Sequence, residues 1–318
     1  MNRKALKRIP LNKLIDLKID LAFKQLFGND KNKEITIVFL NAILQKTGRN
    51  TIKEVLFINK ELSGEHLEDK ESRLDIIVRT QDGELINIEM QLSNENDMMK
   101  RTLYYWSRLF VDQLSRGKSY HTLLPTITIN ICNFTFFKTI HYHSTYHLFE
   151  NQSLQRLAPQ DDVLEIHFIE MTKFLQTWRK EQLNSLDDIL ARWLLLLGMV
   201  DARKQKVYDD IYNELEVLAL KDERLQQAFD TWQELSQNPD TIIAYHSRLK
   251  TIIDEEAKLD YARHQGIEEG IQKGIQEGLV QQNKQIAQKM IAKGKSDEEI
   301  QDLTELPLEE IQRLRLGN

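Results

Sequence analysis

Two short segments, Arg73-Leu74-Asp75-Ile76-Ile77-Val78 and Ile86-Asn87-Ile88-Glu89-Met90-Gln91, decide the fold of this chain. Apolar and polar residues alternate in both, which is typical of β-strands with one buried face. Between them lies Asp82-Gly83, a common turn sequence. The sequence therefore predicts a β-hairpin.

The apolar positions also predict the register of this hairpin. One sheet face buries both apolar sets only if the pairs are Leu74–Met90, Ile76–Ile88 and Val78–Ile86. That register leaves a three-residue loop, Gln81-Asp82-Gly83, which suits a type I turn followed by a left-handed glycine. On the other face, Asp75 lies opposite Glu89 and Arg73 lies opposite Gln91, with Cβ atoms roughly 5 Å apart across the strands.

Facing carboxylates at this separation repel each other and raise a pKa unless a cation lies between them. Hard oxygen ligands of this kind suit Mg²⁺ or Mn²⁺, which can polarise a phosphoryl oxygen and activate a water. The alternative is a solvent-facing pair beside Arg73, stabilised only by weak surface charge pairing. The spacing alone leaves both interpretations open.

Further motifs surround the hairpin, and together with it they resemble a known family. They are Asp20-Leu21-Ala22-Phe23-Lys24-Gln25-Leu26-Phe27-Gly28, Phe39-Leu40-Asn41-Ala42-Ile43-Leu44, Arg101-Thr102-Leu103-Tyr104-Tyr105-Trp106-Ser107-Arg108-Leu109 and Gly117-Lys118-Ser119-Tyr120. The set resembles the Rpn family of recombination-promoting nucleases, also described as transposases, within the PD-(D/E)XK nuclease superfamily. The resemblance covers roughly residues 15 to 175.

The resemblance implies an α/β fold with a PD-(D/E)XK restriction-endonuclease-like core. The hydrophobic pattern predicts the same order, αβββαβ in a mixed sheet, followed by an all-helical C-terminal region. We expect a nuclease-like domain over 1–175, a helical domain over 176–265, and a glycine-repeat helix with a small helical tail over 266–318.

By resemblance, Asp75 and Glu89 are the acids that bind the metal, expected to be Mg²⁺ with Mn²⁺ or Ca²⁺ as alternatives. Gln91 stands where the superfamily has a lysine, and it can orient water only by hydrogen bonds. Lys24 or Arg101 is a candidate source of the missing positive charge. We therefore expect Asp75, Glu89, Gln91 and Lys24 to form the catalytic set.

Other acids and histidines are weaker candidates. Asp20 or Glu34 could add an acidic ligand, although Asp20 is better suited to cap a helix. The histidines at 141, 143 and 147 alternate on a predicted strand, a pattern more typical of a polar surface than of a zinc site.

The net charge of −6 argues mildly against indiscriminate nucleic-acid binding. Basic residues nevertheless cluster over 1–33 and 100–118, and the predicted DNA-phosphate contacts are Arg73, Arg101, Arg108 and Lys118. Aromatic residues in the second cluster could stack on bases or pack in a core. The helical positions predicted as core are Leu103, Trp106, Leu109, Phe110 and Leu114.

Composition predicts a cytoplasmic protein with no membrane segment. No stretch approaches the ~20 apolar residues of a membrane helix. The basic N-terminus has no apolar run after it, and the single Cys132 is expected to be a buried core thiol.

Glycine recurs every fourth residue at 266, 270, 274 and 278, each time followed by an aliphatic residue. Such a helix would be weak alone, at about 1 kcal/mol per glycine, unless it packs against a second copy. A flexible linker is the alternative. We expect a homo-oligomer, as a dimer, assembled through the C-terminal helical region.

The leading functional hypothesis is a metal-dependent DNA endonuclease linked to recombination or to the processing of mobile or foreign DNA. The alternative is a catalytically weak or inactive nuclease-fold module that acts by DNA binding or protein–protein association. A DDE transposase would need a third acid after Glu89, and the sequence offers no clear candidate.

Overall fold

The computed structural model describes residues 9–44, 48–58, 75–94, 97–157 and 162–316. Arg73 and Leu74, with the pairs predicted for them, lie outside these ranges. The chain divides into two compact units, Met1–Leu249 and Lys250–Asn318. The three-domain division stays a prediction.

A six-stranded mixed sheet forms the centre of the first unit. Its strands are β1 (Val55–Phe57), β2 (Ile76–Thr80), β3 (Leu85–Gln91), β4 (Thr126–Cys132), β5 (His143–Tyr146) and β6 (Leu164–Glu170). They lie in the order β1-β2-β3-β4-β6-β5. β3, β4 and β6 are parallel to one another, and the remaining pairs are antiparallel. Every residue of these three strands is buried, as expected for parallel strands covered on both faces.

The α-helices of the described residues follow one another along both units of the chain. They are α1 (Asp20–Phe27), α2 (Lys33–Leu44), α3 (Met98–Val111), α4 (Met171–Arg179), α5 (Ile189–Gly198), α6 (Asp209–Ala219), α7 (Glu223–Leu235), α8 (Pro239–Ala292), α9 (Asp297–Thr304) and α10 (Leu308–Leu316). A two-stranded ribbon, β7 (Val200–Asp201) with β8 (Lys206–Val207), follows α5. The order through β4 confirms the predicted αβββαβ core in its mixed sheet. α4 and the ribbon were not predicted.

The predicted hairpin register is confirmed where both strands are described. Ile76 pairs with Ile88 and Val78 pairs with Ile86. Residues 81–83 form the loop, and Gly83 has a φ of 86°, the left-handed conformation that the turn requires.

The two sheet faces pack against different helices. On one face, Gly28, at the end of α1, lies against the Ile76 side chain. An aromatic cluster of Phe23, Phe27, Phe39 and Trp193 then joins α1, α2 and α5.

On the other face, α3 packs against the sheet through Met98, which lies in a core cluster with Cys132 and Phe168. Cys132 is fully buried, as predicted, and burial raises the pKa of its thiol to about 12. The carboxylate-bearing face of the hairpin is the face that α3 covers.

The second unit contains a small helical core. Ala287, Ile300, Leu306 and Ile311 are buried together there, contributed by α8, α9, α10 and the α9–α10 connection. Ser296 forms a capping box with Glu299 at the start of α9.

The glycine repeat lies within α8, so the interpretation as a flexible linker is wrong for this segment. Its aliphatic neighbours are exposed, namely Ile267, Ile271, Ile275 and Leu279. In the described part of the chain, helices long and apolar enough to cross a membrane are absent.

Candidate active site

Asp75 and Glu89 converge at the end of the hairpin, as the register predicted. The Asp75 backbone N–H donates to Glu89 Oε1 at 3.3 Å, and the Met90 N–H donates to Asp75 Oδ2 at 2.8 Å. The Asp75 side chain is 8% exposed and Glu89 is 2% exposed. Two carboxyl groups are therefore held side by side, largely out of water.

Burial and mutual repulsion disfavour ionisation of both acids. Burial raises the pKa of Asp75, and the nearby Asp20 charge adds to this, although Lys24 and the Met90 N–H oppose it. Burial together with the Asp75 charge raises the pKa of Glu89 to about 8, against the opposing charge of Arg101. The pair is thus a site where a bound cation would relieve an electrostatic cost.

The other two residues of the expected catalytic set also lie here. Lys24 reaches from α1, and its Nζ lies 3.4 Å from Asp75 Oδ1. Gln91 shares a strand face with Glu89 and donates from Nε2 to Glu89 Oε2 at 3.3 Å. The structure brings Asp75, Glu89, Gln91 and Lys24 together. The positive charge of Arg101 acts on the same site, because it lowers the pKa of Glu89.

The weaker acidic candidates have other partners. Asp20 is the first residue of α1 rather than its N-cap, which is Ile19, so the capping prediction is wrong. The Asp20 carboxylate accepts from Arg248 Nε at 3.0 and 2.9 Å. Glu34 pairs with Arg224 at 3.3 Å.

The predicted phosphate contacts are spread along α3 and beyond it. Arg101 lies near Glu89, Arg108 follows about 10 Å further along the helix, and Lys118 is exposed after the helix has ended. Leu103 was predicted as core but is 44% exposed. It lies on the side of α3 turned away from Met98, Thr102 and Leu109, which face the sheet.

Buried amides and hydroxyls surround the carboxylates, and sequence reasoning missed them. In the parallel pairing of β3 with β4, Glu89 lies beside Asn130 and Asn87 lies beside Thr128. Asn130 Nδ2 donates to the His167 carbonyl at 3.1 Å, and Asn130 Oδ1 accepts from Thr102 at 3.2 Å. Asn87 could have been found by alternation, because it precedes Glu89 by two residues on the same strand face.

A second polar cluster lies on the opposite sheet face. His167 Nε2 lies 2.7 Å from Glu165 Oε1, and His167 Nδ1 lies 2.9 Å from His143 Nε2. Arg49 Nε donates to Oε2, the other carboxylate oxygen of Glu165. Burial opposes the charge of Glu165, but His167 and Arg49 prevail and lower its pKa to about 2. The cluster joins the edge strand β5 to β6.

The histidines at 141, 143 and 147, whose alternation was interpreted as typical of a polar surface, are not gathered into one group. His147 pairs with Asp162 at 2.8 Å, His143 pairs with His167, and His141 is exposed. Groups of three or more His, Cys, Asp or Glu residues arranged to hold a metal do not occur in the described ranges. The Asp75–Glu89 pair accordingly offers two carboxylates, which suits an ion that retains several waters.

A mixed six-stranded sheet, helices on both faces and paired acids at the end of its central hairpin define the PD-(D/E)XK nuclease-like class of α/β proteins. A family model described as PD-(D/E)XK nuclease family transposase matches residues 17–262, and the chain belongs to that family. No curated protein and no solved structure matches the chain. Membership in this nuclease family confirms the resemblance drawn from the motifs.

Proposed function

We propose that this protein is a divalent-metal-dependent DNA endonuclease that hydrolyses phosphodiester bonds. The observation that supports this most is the buried Asp75–Glu89 pair with Lys24 beside it. A structural role alone would not favour two adjacent acids whose pKa values are both raised by burial. Family membership supports a nuclease-type chemistry for the same residues.

The donor set fits Mg²⁺, with Mn²⁺ or Ca²⁺ as alternatives. Asp75 and Glu89 offer carboxylate oxygens, and the Gln91 amide oxygen lies on the same strand face. When bound, such an ion supplies Lewis-acid polarisation of a phosphoryl oxygen and lowers the pKa of a coordinated water.

The chain's own residues supply positioning and charge. We propose that Lys24 takes over the role of the superfamily's strand lysine, because its ammonium group lies 3.4 Å from Asp75 Oδ1. Gln91 holds Glu89 through its amide N–H, and it can orient a water by hydrogen bonding. Arg101 places a further positive charge near Glu89, where it can bind a phosphate.

The test is cleavage of supercoiled plasmid by the full chain with Mg²⁺ or Mn²⁺. Asp75→Ala and Glu89→Gln are each expected to reduce the cleavage rate by ~100-fold or more. Asp82→Asn is a matched control, because Asp82 is an exposed acid in the loop of the same hairpin. Cleavage that survives both site substitutions would show that the assignment is wrong.

One observation favours a second function, a nuclease-fold module that binds DNA without cutting it. Gln91 carries no charge, and Lys24 approaches from a helix instead of the strand. If the wild-type chain binds DNA but leaves it intact with Mg²⁺, Mn²⁺ and Ca²⁺, this second function is the correct one.

We also propose that DNA is the partner of the first unit and that α8 mediates homo-oligomerisation, as a dimer. The exposed row of Ile267, Ile271, Ile275 and Leu279 lies beside glycines that would let two helices approach closely. Sedimentation of wild-type protein and an Ile271→Lys, Ile275→Lys double variant tests this. A monomeric wild type well above micromolar concentration would contradict it.

We further propose that the protein cuts DNA during recombination or during the processing of mobile or foreign DNA.

A further inference from the structure

A row of basic and aromatic side chains runs along α3. Lys100, Tyr104 and Arg108 recur every four residues and share one side of the helix, while Arg101 and Tyr105 form the adjoining line. We call these five residues the basic–aromatic row. From Lys100 to Arg108 the row spans about 12 Å, enough for a few nucleotides at ~3.4 Å each.

The row is continuous with the candidate active site through Arg101. The Arg101 charge lowers the pKa of Glu89, against the effect of burial. The Arg101 guanidinium carbon lies 5.5 Å from the centre of the Tyr105 ring. The Tyr104 and Tyr105 ring centres are 5.8 Å apart. A chain bound along the row would therefore lead directly to the carboxylate pair.

Tyr104 does not belong to the core that α3 forms with the sheet. It is 49% exposed, whereas Met98, Thr102 and Leu109 are the buried residues of the helix. Tyr105, by contrast, packs against Ile77 and Leu109. Tyr104 thus presents an aromatic ring to solvent beside the active site.

The charge of α3 selects among possible occupants of this surface. Within Met98–Val111 there are three cations and no acid, while Asp97 and Asp112 flank the helix. Two copies of the row placed together would repel each other. A polyanion is attracted to it, and alternating basic and aromatic residues suit nucleic-acid strands.

We propose that the basic–aromatic row binds unpaired DNA, with Tyr104 stacking on a nucleobase while Lys100 and Arg108 contact phosphates. Within a duplex the base faces are covered by neighbouring bases and must be unstacked at a cost of a few kcal/mol, so an aromatic ring at the surface stacks much more readily on an unpaired base. The preferred substrate is then single-stranded or locally unpaired DNA delivered to Asp75 and Glu89. This inference rests on the proposed nuclease function and adds its substrate class.

The test measures binding of the full chain, in EDTA, to three fluorescent probes of equal length: a single-stranded oligonucleotide, an abasic strand and a duplex. Tyr104→Leu is expected to weaken binding of the base-carrying strand by about 5- to 150-fold and to leave binding of the abasic strand unchanged. Tyr104→Phe keeps the ring and should bind within about twofold of wild type. Leu103→Ala is the matched control, because Leu103 is similarly exposed but lies ~100° around the helix.

Loss of a phosphate contact is expected to change binding in a different way from loss of the stacking ring. Lys100→Gln is expected to weaken binding of base-carrying and abasic strands alike and to reduce the slope of log K against log salt by ~0.7. Tyr104→Leu should leave that slope unchanged. Thermal unfolding checks that each variant is folded.

Three outcomes would overturn the inference. Tyr104→Leu could bind the base-carrying strand like wild type, or it could lose the abasic strand equally. Tyr104→Leu could also alter the oligomeric mass while DNA binding stays intact, which would show that a second copy of the chain occupies the basic–aromatic row.

The proposed nuclease function fails separately, if plasmid cleavage is absent or survives substitution of Asp75 and Glu89 while base-dependent binding persists.

Discussion

Replacing Glu89 by glutamine is expected to stabilise the metal-free protein at alkaline pH. Burial and the Asp75 charge raise the pKa of Glu89 from 4.5 to about 8. A carboxyl group with a higher pKa in the folded state costs stability as the pH rises from the unfolded pKa to the folded pKa. A difference of about 3.5 between these pKa values corresponds to about 5 kcal/mol at 1.36 kcal/mol per pH unit, which sets the scale of the expected gain.

Urea denaturation in EDTA at pH 4.5, 7 and 9 measures this gain. Wild type and Glu89→Gln should have similar free energies of unfolding at pH 4.5, and the variant should become progressively more stable up to pH 9. Glu255→Gln, an exposed glutamate of α8, is the control and should change stability by less than ~0.5 kcal/mol. A gain that is absent at pH 9, or equal at every pH, would refute this electrostatic account of the site.

Magnesium gives the converse measurement in the same assay. An ion that binds only the folded protein stabilises it by about 2.7 kcal/mol at 100 times its Kd. Wild type at pH 8 should gain stability in this way, and Glu89→Gln should gain much less. Equal stabilisation of wild type and Glu89→Gln would show that the ion does not bind at Glu89.

Three further predictions concern single residues. Lys24→Met removes the cation beside Asp75 and should slow plasmid cleavage by ~100-fold in single-turnover assays, with partial recovery in Lys24→Arg; an unchanged rate in Lys24→Met would exclude a catalytic role. Glu165→Gln should cost up to about 3 kcal/mol in urea at pH 7, because a carboxyl with a lowered pKa stabilises the fold above pH 4.5, and this difference should shrink as the pH falls towards 2. Gly83→Ala should cost ~1–3 kcal/mol by the same measurement, since its φ is 86° and a Cβ would lie 2.5 Å from Leu124 Cδ1.

The hairpin could be predicted because its determinants are local. Alternation in the segments around Asp75 and Glu89 specifies which face is buried, and Gly83 supplies the left-handed turn residue. The capping box at Ser296 was predictable for the same reason, since it depends on residues three apart.

Features that depend on distant contacts could not be predicted in this way. Leu103 fits a helical core pattern, yet its exposure depends on how α3 lies across the sheet. Asn130 lies beside Glu89 only because β4 runs parallel to β3, a pairing set by the whole sheet. α4 was missed because only Met171 and Phe174 are buried in it, too few to show a helical period.

The ion pair between Asp20 and Arg248 has a consequence for biosynthesis. Asp20 lies one helical turn before Lys24, and the arginine that holds it comes 228 positions later in the chain. A nascent or truncated polypeptide that ends before Arg248 carries both acids of the hairpin but lacks this anchor of α1. The complete charge arrangement around Lys24 and Asp75 therefore requires a chain that extends through Arg248.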